Sequence, residues 1–348
     1  VQQAFEVVVV MNSKSHTVWV SRPLFPEVLA TLAPYVELRV ETKESKRTPE
    51  QLRTRLAKAD GAIVGLADRI DATVLAGNRR LRAIANLGVG YNNLDLPALT
   101  AAGILATNTP DVLTQTTADY AWALLLAAAR RVSSAERWLR AGRWRGGMRF
   151  DDWLGVDVHG KTLGILGMGR IGQAVARRGA GFDMNVIYHN RSRLPEAVER
   201  ECRAAWVEKR ELLACADHLV LVLPYSAQSH HAIGAAELAQ MKPTAVLVNI
   251  ARGGIVDDAA LAVALREGRL AAAGLDVFEG EPAVNPALRE LDSAVLSPHI
   301  ASASADTRRA MAQLAADNLL AALGYGPNAG QPPSLLNPEA RRGRVAET

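Results

Sequence analysis

Short apolar runs alternate with stretches of helical spacing along almost the whole chain. In the first third, strand-like runs fall at Thr17–Val20, 36–40, 62–65, Ala83–Asn86 and Leu105–Thr107. Helices fit between them. The best signalled begins at Thr48, an N-cap ahead of Pro49 at the first helical position and of Gln51, placed for a capping box. Another starts near Asp95 and is ended by Gly103. Residues 111–130 contain no Gly or Pro, and their apolar positions broaden into a continuous run at 121–129. This predicts a long, deeply buried helix. A second alternating set follows, with strands expected at Thr162–Leu166, 186–188, 204–207, 219–223, 245–250, 272–276 and 295–297, and a closing helix over 305–323. Such alternation argues for parallel sheets covered by helices.

Length and composition narrow the picture. At 348 residues the chain is long for a single core, so two domains are expected. Forty Lys and Arg against 36 Asp and Glu give a formal charge of +4, a mild excess that suits an anionic cofactor or substrate. No basic block is interleaved with aromatics, which argues against a nucleic-acid partner. Cys202 and Cys215 have neither metal-ligand spacing nor a disulfide framework, so no metal site is expected and a reducing cytoplasm fits. The run at 121–129 is too short to span a bilayer, so no membrane is expected. Residues 1–12 carry a valine run without a basic leader and read as an upstream extension, with Met11 near its end.

Gly167-Met168-Gly169-Arg170-Ile171-Gly172 sits between a strand and a helix, the context a dinucleotide fingerprint needs. Gly167 would permit the tight turn, Gly169 the approach of pyrophosphate, and Gly172 close helix–strand packing, with the helix N-terminus facing the phosphates. An NAD site would place an acid about twenty residues on to hold the ribose hydroxyls. Here the chain has Tyr188-His189-Asn190-Arg191-Ser192-Arg193, without a carboxylate. Arg191 and Arg193 would pair with a 2′-phosphate, and Asn190 and Ser192 would donate to it. NADP(H) is therefore the expected cofactor, with NAD(H) the other candidate.

Three residues follow successive strands of the same set: Arg252, Glu281 and His299. Each is expected at the carboxyl edge of one parallel sheet, where such sheets bind ligands. Together they supply a cation for a carboxylate, a proton donor, and an acid to hold that donor. That is the equipment for reducing a 2-oxo acid. Asn86-Leu87-Gly88-Val89-Gly90-Tyr91 also follows a strand, and the N–H groups of Val89 and Gly90 would form an anion nest for a substrate carboxylate. The site is then expected in a cleft between the domains.

The glycine fingerprint, the Ala251-Arg252-Gly253-Gly254 turn, the run from Gly274 to Glu279 with Glu281-Pro282, and Pro298-His299 resemble the D-isomer-specific 2-hydroxyacid dehydrogenases in order and spacing, over about residues 15–325. The resemblance implies an α/β fold of two doubly wound parallel-sheet domains, a Rossmann nucleotide-binding domain inserted in a flavodoxin-like substrate domain. The expected boundaries are 13–108 plus 300–326 for the substrate domain, 109–299 for the dinucleotide domain, and a flexible tail at 327–348. It implies that Arg252 binds and polarises substrate, His299 is the acid/base and Glu281 its partner. Arg170 and Ile171 would touch pyrophosphate. Leu223, Pro224 and Ser229 would line the cofactor groove, and Asp276 and Thr117 would lie near the nicotinamide. Members are usually homodimers, and residues 143–154, with Trp144 and Trp153, would be the embracing arm.

The stretch 157–165 and the basic loop after the second strand are most similar to bacterial glyoxylate/hydroxypyruvate reductases, including the 2-ketogluconate reductase type. The implied activity is reduction of small 2-oxo acids to D-2-hydroxy acids. Ala301-Ser302 departs from the Gly-Ser common in relatives and leaves chain-length preference open. Two alternatives share the fold: a dinucleotide-sensing corepressor, and a dehydrogenase of an inorganic anion such as phosphite.

Overall fold

The computed structural model describes residues 7–10 and 15–341. The chain divides between residues 113 and 114, and again between 303 and 304, into two compact units.

The first unit holds a six-stranded sheet. Its strands are β1 (Val7–Val10), β2 (Thr17–Val20), β3 (Glu37–Glu41), β4 (Gly61–Val64), β5 (Ala83–Asn86) and β6 (Leu105–Thr107), in the order β1-β3-β2-β4-β5-β6. All pairings are parallel except β1 with β3, which is antiparallel with Val7 opposite Glu41. Strand residues alternate between two faces. Val18, Val20, Ile63, Ala83 and Ala85 pack with Ala312, Ala315, Leu319 and Leu320 of the helix Ala305–Ala322. Trp19, Ala62, Val64 and Ile84 pack with Leu52 and Leu56 of the helix Pro49–Leu56 and with Leu99. Both faces are buried, as parallel strands require. The capping box at Thr48 is present: its Oγ accepts from Gln51 N, and its own N–H donates to Gln51 Oε1 at 3.0 Å.

Two expectations need correction here. Residues 1–12 are not all outside the fold, because the valine run forms β1; four β-branched residues favour an extended chain wherever an open strand edge is offered. Residues 1–6 and 11–14 lie outside the described residues. Nor does a flexible tail begin at 327. Leu335 bridges Thr107, and the fully buried Asn337 accepts from Ala106 N at Oδ1 (2.8 Å) and donates from Nδ2 to Ile104 O (2.9 Å) and Thr100 Oγ (3.0 Å). One polar side chain thus closes the free edge of β6, a contact that Pro/Gly-rich composition hides.

The second unit holds β7 (Thr162–Leu166), β8 (Asn185–His189), β9 (Ala204–Trp206), β10 (His218–Leu221), β11 (Val246–Asn249), β12 (Ala272–Leu275) and β13 (Ala294–Leu296). They form one all-parallel sheet in the order β13-β12-β11-β10-β7-β8-β9. The long helix runs Thr114–Ala129, starting later than its apolar pattern suggests because Asp111 takes a left-handed φ of 68°. Its Ala121, Leu124, Leu125 and Ala128 pack on Ile165, Val220 and Val248. The opposite face buries Leu219, Leu221 and Leu247 against Leu212, Leu261 and Leu265. Among the described residues no helix is long and apolar enough to cross a membrane.

Replacing Asn337 by Ala strands a buried N–H and carbonyl beside β6, which typically costs about 1–3 kcal/mol per unpaired group. Asn337→Ala is therefore expected to lower the denaturant midpoint clearly. An unchanged midpoint would show that residues 327–341 contribute nothing to the fold.

Candidate active site

The order of the second sheet reverses at β7, whose neighbours β8 and β10 lead to opposite edges. Crevices beyond the carboxyl ends of strands at such a switch point are where open α/β sheets bind ligands. The glycine loop lies there, between β7 and the helix Arg170–Gly179. Gly167 has φ +104°, and a Cβ on it would meet Leu223 N at 2.7 Å; a Cβ on Gly172 would meet Gly167 O at 2.3 Å. Around Gly169, in contrast, nothing lies within 4 Å of the Cβ position. Gly169 is also the N-cap, and no side chain caps this helix. The space and the uncapped N–H groups suit a pyrophosphate. Arg170 and Ile171 open the helix, with Arg170 exposed. Thr117, on the long helix, is buried with its Oγ lacking any partner. An open glycine cradle and an orphaned hydroxyl on the same unit fit a nicotinamide dinucleotide.

The loop after β8 differs from expectation. Asn190 is partly used within the protein: its Oδ1 accepts from Met168 N at 2.7 Å and braces the glycine loop, which leaves only its Nδ2 as a donor. Arg193 is committed within the protein. Its Nε and Nη2 form a fork with the buried Glu199 at 2.9 and 2.7 Å. That hydrogen bond is the main cause holding Glu199 below the usual carboxylate range. Tyr188 donates to the same carboxylate at 2.7 Å, and burial, then Glu199, pushes the phenol up to about 12. The reason is tertiary: Glu199 follows Arg193 by six residues, on a helix that folds back over the loop. Arg191 and Ser192 are exposed, and among the described residues Arg191 reaches only Gln228, at 3.5 Å.

Leu223, half-buried, and Pro224, exposed, follow β10. Ser229 is buried and holds this loop together, accepting from Ser226 N at 2.7 Å and donating to Pro224 O at 3.0 Å.

Arg252, Glu281 and His299 follow β11, β12 and β13. His299 Nδ1 lies 2.9 Å from Glu281 Oε2, while Glu281 Oε1 accepts from Phe278 N at 2.9 Å. Both oxygens are thus used, and the ring is fixed. With an ionised carboxylate as acceptor, Nδ1 carries a proton and Nε2 is the nitrogen left to face a ligand. Burial pushes the Glu281 carboxyl up, but His299, the Phe278 N–H and the Arg252 charge outweigh it, so its pKa is lowered.

His299 takes a left-handed φ of 54°, a conformation that costs a non-glycine residue about 1–2 kcal/mol. Asp276 compensates. Its carboxylate, fully buried, accepts from Ser297 Oγ (2.7 Å), Ile300 N (2.8 Å) and Ala301 N (2.8 Å), while its carbonyl accepts from His299 N (2.8 Å). Burial pushes the Asp276 pKa up against those hydrogen bonds. The sequence resemblance sets Asp276 near the nicotinamide; within the protein its carboxylate clamps the turn that presents His299.

Arg252 sits on a turn bracketed by the buried Asn249, which accepts from Ala251 N at 3.0 Å and donates to Arg252 O at 3.3 Å. A Cβ on Gly253 would lie 1.7 Å from Phe278 O, so only glycine allows this turn to press on the loop bearing Glu281. The guanidinium bonds Ala251 O at 2.6 Å, and among the described residues no carboxylate pairs with it. Burial lowers its pKa and the Glu281 charge opposes the shift. Asn249 and Ser297 escape a reading of the sequence; polar side chains at the ends of apolar strands are their only signal. Asp258 escapes it too, since beside Asp257 it resembles an ordinary helix start, yet it is buried and accepts from Glu279 N at 3.0 Å.

In the first unit, the carbonyls of Val89 and Gly90 are held by Asn108 Nδ2 at 2.8 Å and Asn86 Nδ2 at 3.0 Å. Among the described residues, neither N–H of this pair is given to a protein acceptor. The loop therefore presents two free donors, the arrangement an anion nest needs.

Comparison with known proteins agrees with this geometry. Residues 122–301 match the family described as D-isomer specific 2-hydroxyacid dehydrogenase, NAD binding domain. A glyoxylate reductase of Thermococcus gammatolerans is 46% identical over 325 residues, covering 92% of this chain and 96% of that protein. The crystal structure of a Thermus thermophilus protein superposes with a TM-score of 0.83 at 41% identity, over 92% of this chain and 99% of that one. An NADPH-dependent glyoxylate/hydroxypyruvate reductase from Sinorhizobium meliloti, solved with NADP and malonate, gives 0.80 at 34% identity, over 93% and 97%. With the glycine cradle, the Glu281–His299 pair and the unpaired Arg252 all in the matched unit, this chain belongs to the D-isomer-specific 2-hydroxyacid dehydrogenases, of the glyoxylate/hydroxypyruvate reductase type, and is a nicotinamide-dinucleotide-linked oxidoreductase of 2-oxo and 2-hydroxy acids.

Proposed function

We propose that this protein reduces small 2-oxo acids, glyoxylate and hydroxypyruvate first and 2-ketogluconate as a longer candidate, to D-2-hydroxy acids, with NADPH preferred over NADH. The observation that carries this reading is the 2.9 Å contact of His299 Nδ1 with Glu281, beside a half-buried guanidinium that no protein carboxylate among the described residues neutralises. A buried cation without a partner is costly unless an anion completes it. The substrate carboxylate is that anion. The free N–H groups of Val89 and Gly90 suit the same kind of ligand.

A bound nicotinamide dinucleotide supplies the hydride. Arg252 orients the carboxylate and draws electron density from the adjoining ketone. His299 Nε2 gives its proton to the ketone oxygen as charge develops there. Glu281 keeps the Nδ1–H in place, so the ring neither rotates nor changes tautomer. The relatives' names support this substrate class, one of them being called a glyoxylate/hydroxypyruvate reductase.

The cofactor preference rests on Arg191 and Ser192, exposed after β8 in a loop without an acid. A carboxylate there would repel a 2′-phosphate, whereas a guanidinium pairs with it. Arg193 is not part of this reading, since Glu199 already neutralises it. We also infer a homodimer. Residues 143–154 leave Trp144, Met148, Phe150 and Leu154 exposed, Phe150 at 104%, and large apolar side chains grouped in this way mark a partner surface.

His299→Ala is expected to lower kcat for glyoxylate reduction about 10²–10⁴-fold, the usual contribution of a positioned general acid. Arg252→Ala mainly raises KM, by roughly ten- to a hundredfold, since a charge-assisted hydrogen bond contributes about 1.5–3 kcal/mol. Near-normal turnover in His299→Ala would refute the proton-transfer role.

Arg191→Ala should raise KM for NADPH about tenfold or more and leave KM for NADH nearly unchanged. A parent kcat/KM for NADH equal to or above that for NADPH would end the claimed preference.

Glu281 has a folded pKa below its ordinary 4.5, so the stability it contributes is present above 4.5 and is lost as pH falls through the depressed value. Thermal melts should show the advantage of the parent over Glu281→Gln shrinking only below pH 4.5. An advantage already gone at about pH 5 would mean that the pair does not lower the Glu281 pKa.

A further inference from the structure

Beside the Arg252 turn, the loop after β10 meets the loop after β12. His231 N donates to Gly254 O at 2.7 Å, and Ile233 N to Ile255 O at 3.1 Å, which anchors the end of the first loop. Glu279 N donates to the buried Asp258 at 3.0 Å, which anchors the second. Between them, His231 Nε2 lies 3.1 and 3.2 Å from the two oxygens of Glu279. The ring of His230 stacks on that of His231 with centroids 3.9 Å apart. One donor atom from each of His230, His231 and Glu279 lies within 4.8 Å of the other two.

We propose that His230, His231 and Glu279 form a three-ligand site for a divalent transition ion of the zinc class, with water completing the coordination. Two imidazoles and one carboxylate are the donor set that borderline ions such as Zn²⁺ and Ni²⁺ favour, whereas Mg²⁺ and Ca²⁺ prefer oxygen alone. Donors about 2.0–2.1 Å from a tetrahedral ion stand roughly 3.3 Å from one another, close to the separation His231 and Glu279 already have. Outer contacts are in place as well. Tyr225 Oη lies 3.2 Å from His230 Nδ1, within hydrogen-bond reach, while Asp257 Oδ2, 4.0 Å from His231 Nδ1, is a charged neighbour beyond that reach. A hydroxyl or carboxylate on the far nitrogen is how ligating histidines are oriented. His231 is further constrained by a left-handed φ of 48°, which the Gly254 hydrogen bond holds. His230 and Glu279 are exposed, so an ion reaches the site without any opening of the fold.

The ion would join the loop lining the candidate cofactor groove to the loop that presents Glu281, two residues beyond Glu279. It would act as a staple and take no part in hydride or proton transfer. No pattern along the chain hints at it. Two adjacent histidines and a glutamate 48 positions away match no ligand spacing, and the sequence leads to the expectation that no metal site exists. Such a site would stand whether or not the protein reduces 2-oxo acids.

The test uses the full chain, stripped with EDTA and titrated calorimetrically with ZnCl₂, with MgCl₂ as control. Binding near one Zn²⁺ per chain is expected, with a rise in Tm that MgCl₂ does not reproduce. Co²⁺ in the same position should give the visible absorption of a low-coordinate site. Glu279→Gln keeps a hydrogen-bond acceptor for His231, and His231→Asn tolerates the left-handed backbone, so both are expected to fold with parent-like circular dichroism. Each should weaken Zn²⁺ binding about tenfold or more. Absence of Zn²⁺ binding by the parent would overturn the proposal and leave a plain His231–Glu279 ion pair. Parent-like affinity in both variants would also overturn it, by placing the ion elsewhere.

Discussion

The geometry of the candidate site depends on the buried carboxylate of Asp276. Three hydrogen bonds to Ser297, Ile300 and Ala301, with a fourth from His299 N to its carbonyl, hold a turn whose central residue sits in a backbone region disfavoured for any side chain. A left-handed histidine persists only where its surroundings over-determine it. The strain has a chemical use. It aims the imidazole at Glu281, which in turn commits one oxygen to the Phe278 backbone and the other to the ring. Position, tautomer and orientation of the imidazole are thus fixed before any ligand arrives, which suits the proton transfer proposed for it.

Arg252 follows the opposite logic. Around His299 the polar groups are satisfied internally, while among the described residues the guanidinium has only the Ala251 carbonyl. Burial disfavours its charge and Glu281 partly restores it. A site that leaves a cation short of one anion is selective for molecules that bring one. The glycine at 253 belongs to the same device, since a Cβ 1.7 Å from Phe278 O would push the arginine turn off the Glu281 loop. Cation, acid and acid-holder therefore behave as one unit, although β12 separates the strands that carry two of them.

The loop after β8 shows how a fold can reassign a charge. Its two arginines look equivalent in sequence, but Glu199 takes Arg193 into a fork with Tyr188 alongside, and Asn190 turns inward to brace the glycine loop. What remains for a ligand is Arg191 with Ser192. The cofactor question thereby narrows from a basic cluster to the arginine that Glu199 has not taken.

The two sheets, the strand-by-strand alternation of buried faces, the Thr48 cap and the glycine fingerprint were legible in the chain, because each is written in periodicities and dipeptides only a few residues long. The order of Arg252, Glu281 and His299 along successive strands was legible for the same reason: strand ends in a parallel sheet share an edge. Other features were not. The clamp by Asp276, the capture of Arg193 by Glu199, the closure of β6 by Asn337 and the meeting of His231 with Glu279 all join residues whose separation in sequence carries no signal. Local sequence determines which elements form and which ends they present. Only the tertiary structure decides which polar groups become partners, because a hydrogen bond is settled within about 3 Å and no pattern along the chain measures that distance.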